Sequence, residues 1–294
     1  MRLPHTLSSL GLASALLLGS AHADELTVGG KNYTEQLLLS NITSQYLDTL
    51  GYEVETLDGM GSSVLRQAQE NGQIDLYWEY TGTSLIVYND ISESLSAEAT
   101  YQRVKELDAE KDIIWLEPSD ANNTYALAMR EAYAERLGIE SLKDLAETIN
   151  DDAGLTFGLD SEFYSRQDGW RPLQQAYDFR VGRDDIVRMD TGLIYSALRD
   201  GNVDVGLVFS TDGRIPAFDF RVLEDNRGFF PAYALTPVVR EATLEANPAL
   251  EGQLNALSER FDDQTIAALN ARVDVERDTI EEVATDFLET HELL

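Results

Sequence analysis

The 294-residue chain has no cysteine and only three histidines, His5, His22 and His291. The first absence excludes a disulfide framework, a thiolate nucleophile, a thiolate zinc site and a lipidated cysteine. The second leaves the body of the chain without a histidine base or a histidine metal cluster, since the three lie close to the two ends. Walker phosphate loops, G-x-G-x-x-G and EF-hand loops are also missing. Carboxylates are plentiful, with 53 Asp and Glu, yet no pair stands out by motif or spacing as an acid-base couple. The expectation is a protein that is not an enzyme and carries no metal or other cofactor.

Lysine is scarce too, at Lys31, Lys105, Lys111 and Lys143, and 22 basic residues against 53 acidic give a net charge of −31. A surface of that sign repels nucleic acid and anionic lipid. We read the acidity as solvation in high salt, as in a halophilic exported protein, with an acidic partner-binding face as the alternative. Long apolar runs are lacking as well. The stretch from Leu7 to Leu18, with Arg2 before it and Ala21-His22-Ala23 after it, reads as a secretory signal cleaved before Asp24. It is too short for a membrane span of about 20 residues. The expected product is a periplasmic chain of 294 − 23 = 271 residues, enough for two domains.

What is present is a repeat. Leu26-Thr27-Val28-Gly29 recurs as Leu155-Thr156-Phe157-Gly158, an offset of 155 − 26 = 129. Ala68, Gly72, Asp75 and Tyr80 match Ala197, Gly201, Asp204 and Phe209 at the same offset. Each copy reads as a helix ended at Asn-Gly or Asp-Gly, then a strand, then a turn. The consequence is a pair of equivalent α/β lobes with mixed sheets, and a ligand site beyond the strand ends. Asn123–Arg130 and Ala232–Arg240 look alike and are expected to be two strands crossing between the lobes. The lobes are then residues 24–124 with 235–294, including a helical C-terminus from about Asn255, and residues 125–234.

Several residues point to a small charged ligand. Asn32 and Glu35 have N-cap and N3 spacing, which sets Lys31 beside a helix N-terminus suited to a carboxylate. Arg166 occupies the corresponding loop region of the second lobe and offers a bidentate fork. Tyr80 and Phe209 are repeat partners, and Tyr125 and Tyr233 begin the two crossing strands. Four rings converging on one point form a box for a quaternary ammonium.

The stretches KNYTEQ (31–36), GSSVL (61–65), NGQIDLYWEYTGT (71–83), NNTYALAM (122–129), STDGRI (210–215) and FFPAYALTPVVR (229–240) occur in order along the chain. With them the sequence resembles the substrate-binding proteins of osmoprotectant ABC importers, which take up glycine betaine, proline betaine, carnitine and choline. The resemblance spans essentially the whole chain after the signal. It implies a two-lobed periplasmic binding protein fold of type II kind, with two crossing strands as hinge, closing on its ligand. It implies an aromatic cage of Tyr80, Tyr125, Phe209 and Tyr233, assisted by the backbone near Asn123, with Lys31, Thr83 and Arg166 for the carboxylate. Phe209 departs from the family pattern, where a tyrosine is usual, and Ser62 and Ser63 lie where the family tunes choline against betaine. The implied partners are a small quaternary-ammonium ligand and an ABC permease, with the protein itself a monomer. A periplasmic sensor without transport, or a binding protein for choline or another small zwitterion, is the alternative.

Overall fold

The computed structural model describes residues 25–93, 95–151 and 153–294, so the predicted signal lies outside the described residues. The strands in chain order are β1 (Glu25–Lys31), β2 (Glu53–Met60), β3 (Leu76–Tyr80), β4 (Ile113–Trp115) and β5 (Tyr125–Arg130). There follow β6 (Phe157–Leu159), β7 (Ile186–Arg188), β8 (Val205–Phe209), β9 (Phe220–Val222) and β10 (Leu235–Arg240). They form two five-stranded sheets, ordered β2-β1-β3-β10-β4 and β7-β6-β8-β5-β9. In the first, β1 is parallel to β2 and β3 while β10 is antiparallel to β3 and β4. The second repeats this plan, with β6 parallel to β7 and β8, and β5 antiparallel to β8 and β9. Helices connect the strands, so the α/β two-lobed architecture read from the repeat is the one observed.

The patterning explains the placement. Every residue of β3 is buried, as expected of a strand in the middle of a sheet covered on both faces. β2 lies at an edge and carries Glu53, Glu55 and Asp58, charges that discourage pairing with another chain.

The repeat is closer in three dimensions than in sequence. Helix Ser62–Glu70 corresponds to helix Thr191–Arg199, and β3 to β8, with 191 − 62 = 129 and 205 − 76 = 129. Gly72 and Gly201, which follow those helices, both have φ of +76°, a left-handed conformation that favours glycine. Asp75 accepts from the Thr27 backbone N–H at 2.9 Å, and Asp204 from that of Thr156 at 3.0 Å. Each aspartate is also paired with an arginine at the end of the antiparallel strand, Arg240 at 3.3 Å and Arg130 at 3.4 Å. One polar strut is thus built twice.

Three expectations change. Arg130 and Arg240 are equivalent, and Tyr125 pairs with Phe209 as Leu235 pairs with Tyr80. The counterpart of Tyr125 is therefore Leu235, and Tyr233 lies two residues ahead of β10, because the two stretches differ in length (130 − 125 = 5, 240 − 233 = 7). Second, β5 belongs wholly to the second sheet and β10 wholly to the first. The chain crosses just before each strand, where Asn122 and Ala234 form an antiparallel bridge. Around it the Asn123 N–H donates to the Tyr233 carbonyl at 3.2 Å and the Leu235 N–H to the Ala121 carbonyl at 2.9 Å. Third, the first helix is Thr34–Thr49 with Tyr33 at its N-cap and no side-chain cap bond, so Asn32 is not the cap. Glu35 turns inward and binds other partners.

Helices Leu250–Ser258, Asp263–Ala271 and Ile280–Thr290 return to the first sheet. Phe261 anchors them there, 5.2 Å edge-on to Trp78 and 5.2 Å stacked on Phe287.

Candidate functional site

A cavity of about 540 Å³ opens between the two sheets, at the ends of β1, β3, β5 and β8. Both arms of the repeat supply its wall. Gly61 and Ser62 begin one helix, and Asp190, Thr191 and Gly192 begin its counterpart.

Five aromatic rings line it: Tyr33, Tyr80, Tyr125, Phe209 and Tyr233. Tyr125 is central, with centroid distances of 5.1 Å to Phe209, 5.4 Å to Tyr233 in an edge arrangement, and 5.0 Å to Phe163 behind it. Phe209 is in turn stacked on Tyr33 at 5.5 Å and 8°. Burial pushes the phenols of Tyr33, Tyr80, Tyr125 and Tyr233 well above the usual tyrosine range, so all four are neutral at working pH.

The two expected cations have partners within the protein. Lys31 ends β1 at 2% exposure, with its ammonium 2.6 Å from Glu79 and 4.8 Å from the Tyr80 centroid. Glu79 also accepts from the Tyr80 backbone N–H at 2.7 Å and from the Tyr77 and Tyr88 hydroxyls at 3.0 Å each. Arg166 follows helix Ser161–Ser165 and holds Asp168 through two bonds of 2.7 and 2.6 Å. Its other nitrogen donates to Glu162 at 3.2 Å and reaches Thr83 Oγ1 at 3.5 Å. The guanidinium lies 5.2 Å from the Tyr125 centroid and 5.9 Å from that of Tyr233, whose hydroxyl donates to Asp168. Arg166 thus backs the rings and faces an adjoining cleft of about 350 Å³ that also touches Ser62, Ser63 and Glu162. The counterpart of Lys31 at the repeat offset is Asp160, since 31 + 129 = 160, and Asp160 lines the cavity.

Of the ionisable lining residues other than tyrosine, Asp160, Glu162, Asp190 and Asp274 are acids and Lys31 and Arg214 are bases. Arg214 is bound by Asp212 through its Nε at 2.9 Å and lies 3.1 Å from Asp274. Burial raises the carboxyls of Asp160 and Asp274 above the usual range. Among the described residues no cluster of His, Cys, Asp or Glu is placed to hold a metal ion, and no helix is long and apolar enough to cross a membrane.

Residues 24–290 match the family model described as the substrate-binding domain of the ABC-type glycine betaine transport system. The chain belongs to that family. This glycine betaine transport family member is 48% identical over 291 residues to a glycine-betaine-binding protein of Pseudomonas aeruginosa, covering 97% of this chain and 94% of the relative. It is 32% identical to the glycine betaine-binding protein YehZ of Escherichia coli, covering 95% of each. A solved structure of a glycine betaine/carnitine/choline ABC transporter superposes with a TM-score of 0.74 at 27% identity, over 91% of this chain and 99% of that one. As a family member the protein is the substrate-binding component of an ABC importer for small quaternary-ammonium compounds and not an enzyme.

The fold gathers seven of the eight expected site residues on the main cavity, Lys31, Tyr80, Thr83, Asn123, Tyr125, Phe209 and Tyr233, and sets Arg166 just behind it. Sequence reasoning missed Tyr33, although it stands inside KNYTEQ, and Asp160, Asp190 and Thr191. The last three were reachable by adding 129 to Lys31, Gly61 and Ser62. It also missed the inward turn of Glu35, taken for a helix-capping residue.

Proposed function

We propose that this substrate-binding component captures glycine betaine, or a close quaternary-ammonium relative, inside a cage formed by Tyr80, Tyr125, Phe209 and Tyr233, widened by Tyr33. The observation that carries this reading is the convergence of five rings from both sheets on one cavity. A trimethylammonium group cannot donate a conventional hydrogen bond, so it is held by ring faces, each contact worth about 0.5–2 kcal/mol. The charge balance of the wall agrees. Both lining bases are neutralised by internal partners, while Glu162 alone among the four acids has a bond to a base outside the lining, Arg166. For the carboxylate end we assign the Thr83 hydroxyl, with the Arg166 guanidinium behind it, and the Lys31 ammonium, which has three donors and spends one on Glu79.

In this reading residues 24–124 with 235–294 form one lobe and 125–234 the other, and the monomer closes on ligand through contacts made by both. Calorimetry in high salt against glycine betaine, choline, carnitine, ectoine and proline tests it. The three trimethylammonium compounds are expected to bind, with glycine betaine the tightest. Preference for proline or ectoine over all three would remove the cage from the account, and preference for choline over betaine would remove the carboxylate assignment.

A further inference from the structure

Glu35 is a carboxylate with 4% exposure, placed where the cavity wall, the crossing segments and the second sheet meet. One oxygen accepts from the Tyr80 hydroxyl at 2.6 Å and from the Asn123 amide at 2.9 Å. The other accepts from the Thr211 hydroxyl at 2.6 Å and from the Asn270 amide at 3.3 Å. These donors come from four segments: β3 of the first sheet, the first crossing, the loop after β8 of the second sheet, and helix Asp263–Ala271. Asn270 also donates to the Thr211 carbonyl at 3.1 Å, which ties the last two together.

The direction of the Tyr80 bond is fixed. Gln36 donates to the Tyr80 oxygen at 3.0 Å and to the Trp78 carbonyl at 2.9 Å, so the phenol proton goes to Glu35. A carboxylate here is acceptor-only and serves all four donors, whereas an amide would present two N–H groups to them. Burial raises the Glu35 carboxyl above its ordinary range, opposed by the bonds from Thr211, Tyr80, Asn123 and Asn270, and the group sits one hydrogen bond behind the Tyr80 ring. It keeps the ring in place.

We infer that Glu35 is a positioning residue that locks the Tyr80 ring into the cavity wall and registers it against the Thr211 loop of the second sheet, so that cage geometry and lobe approach are set together. The inference rests on the reading that Tyr80 faces the ligand.

The test is a double-mutant cycle on the full protein, titrated with glycine betaine and with choline. Glu35→Gln is expected to weaken both by about tenfold or more, since the amide N–H groups replace an acceptor that the Tyr80, Asn123, Thr211 and Asn270 donors share. In a Tyr80→Phe background, where the Tyr80 bond is already absent, the same change is expected to cost at least about threefold less than in wild type, the remainder reflecting the Thr211, Asn123 and Asn270 contacts. Thr211→Val is expected to weaken binding and to speed hydrogen exchange in residues 209–214 without ligand, with Thr211→Ser restoring both. Should Glu35→Gln fail to fold, the Thr211 pair decides the matter. Wild-type affinity in Glu35→Gln, or equal losses in both backgrounds, overturns the inference. If wild type binds neither ligand, the cage reading falls, while unaltered exchange in Thr211→Val separately refutes the link between the sheets.

Discussion

Removing Arg166 isolates the energetics of the wall behind the cage. Its side chain is 4% exposed and its partner Asp168 5%, and two bonds of 2.7 and 2.6 Å join them. Burial works against the guanidinium charge, and Tyr125, Asp168 and Tyr233 together outweigh it, holding Arg166 above its ordinary value. Arg166→Ala leaves a buried carboxylate with the Tyr233 hydroxyl as its remaining hydrogen bond. Breaking a buried pair from one side costs about 3–5 kcal/mol, because the surviving charge is uncompensated. In a chain of this size that corresponds to a fall of roughly 6–20 °C in Tm. Asp168→Asn added to Arg166→Leu removes both charges, keeps an acceptor for Tyr233, and is expected to recover half the loss or more. Urea unfolding of ligand-free wild type, single and double variants reads this directly. A single variant within about 1 kcal/mol of wild type, or a double variant no better than the single, refutes the reasoning. In titrations at fixed moderate salt, Arg166→Ala is expected to weaken glycine betaine about tenfold and choline less, since only the former uses a Thr83 hydroxyl backed by positive charge.

Three further outcomes are expected. Alanine at Tyr80, Tyr125 or Tyr233 lowers glycine betaine affinity by about tenfold or more in calorimetry, whereas Phe209→Tyr keeps or improves it; three alanine variants with wild-type affinity would make these rings mere packing. Gly82→Ala places a Cβ 2.7 Å from the Tyr233 ring and 2.8 Å from the Ala232 carbonyl, so it displaces a cage ring and costs about 1–3 kcal/mol of stability together with ligand affinity, checked by thermal shift and titration. Asp108 is buried, which raises its carboxyl, but Arg66 at 2.8 Å to each oxygen, with Asn89 and Trp115, brings it below the usual range. Because the folded value is depressed, this stabilisation is present above the unfolded value of about 3.9 and disappears as pH falls through the folded one; Asp108→Asn should flatten the urea midpoint against pH in that window.

Much of this was legible because the chain says it twice. The 129-residue offset fixed helix Ser62–Glu70 against Thr191–Arg199 and β3 against β8, and it brought Tyr80 and Phe209 to one cavity from two sheets. Less legible was anything that depends on where a side chain turns. Glu35 has the spacing of a capping partner for Asn32, yet tertiary donors from Thr211 and Asn270, 211 − 35 = 176 and 270 − 35 = 235 residues away, draw it inward. Lys31 and Arg166 looked like free cations because Glu79 and Asp168 gave no sign in sequence that they would be spent on them. The alignment of Tyr125 with Tyr233 failed for a simpler reason: matching aromatic letters do not preserve strand register when the stretches differ by two residues.

The paired crossing has a mechanical meaning. Asn122, Asn123, Ala234 and their neighbours are bonded to one another, so the two connections form a single ribbon, about which the proposed closure would turn as about one axle. Tyr125 and Leu235 are the first residues of the strands that leave it, and Phe209 and Tyr80 are their partners across the sheets. The rings therefore sit beside the axle, where any rotation of one sheet against the other sweeps the shortest arc. Under the proposed closure, Ser62 and Glu162, which lie outside the crossing segments, would travel farther, and an ammonium held among the rings would stay put while the cavity shuts around its other end.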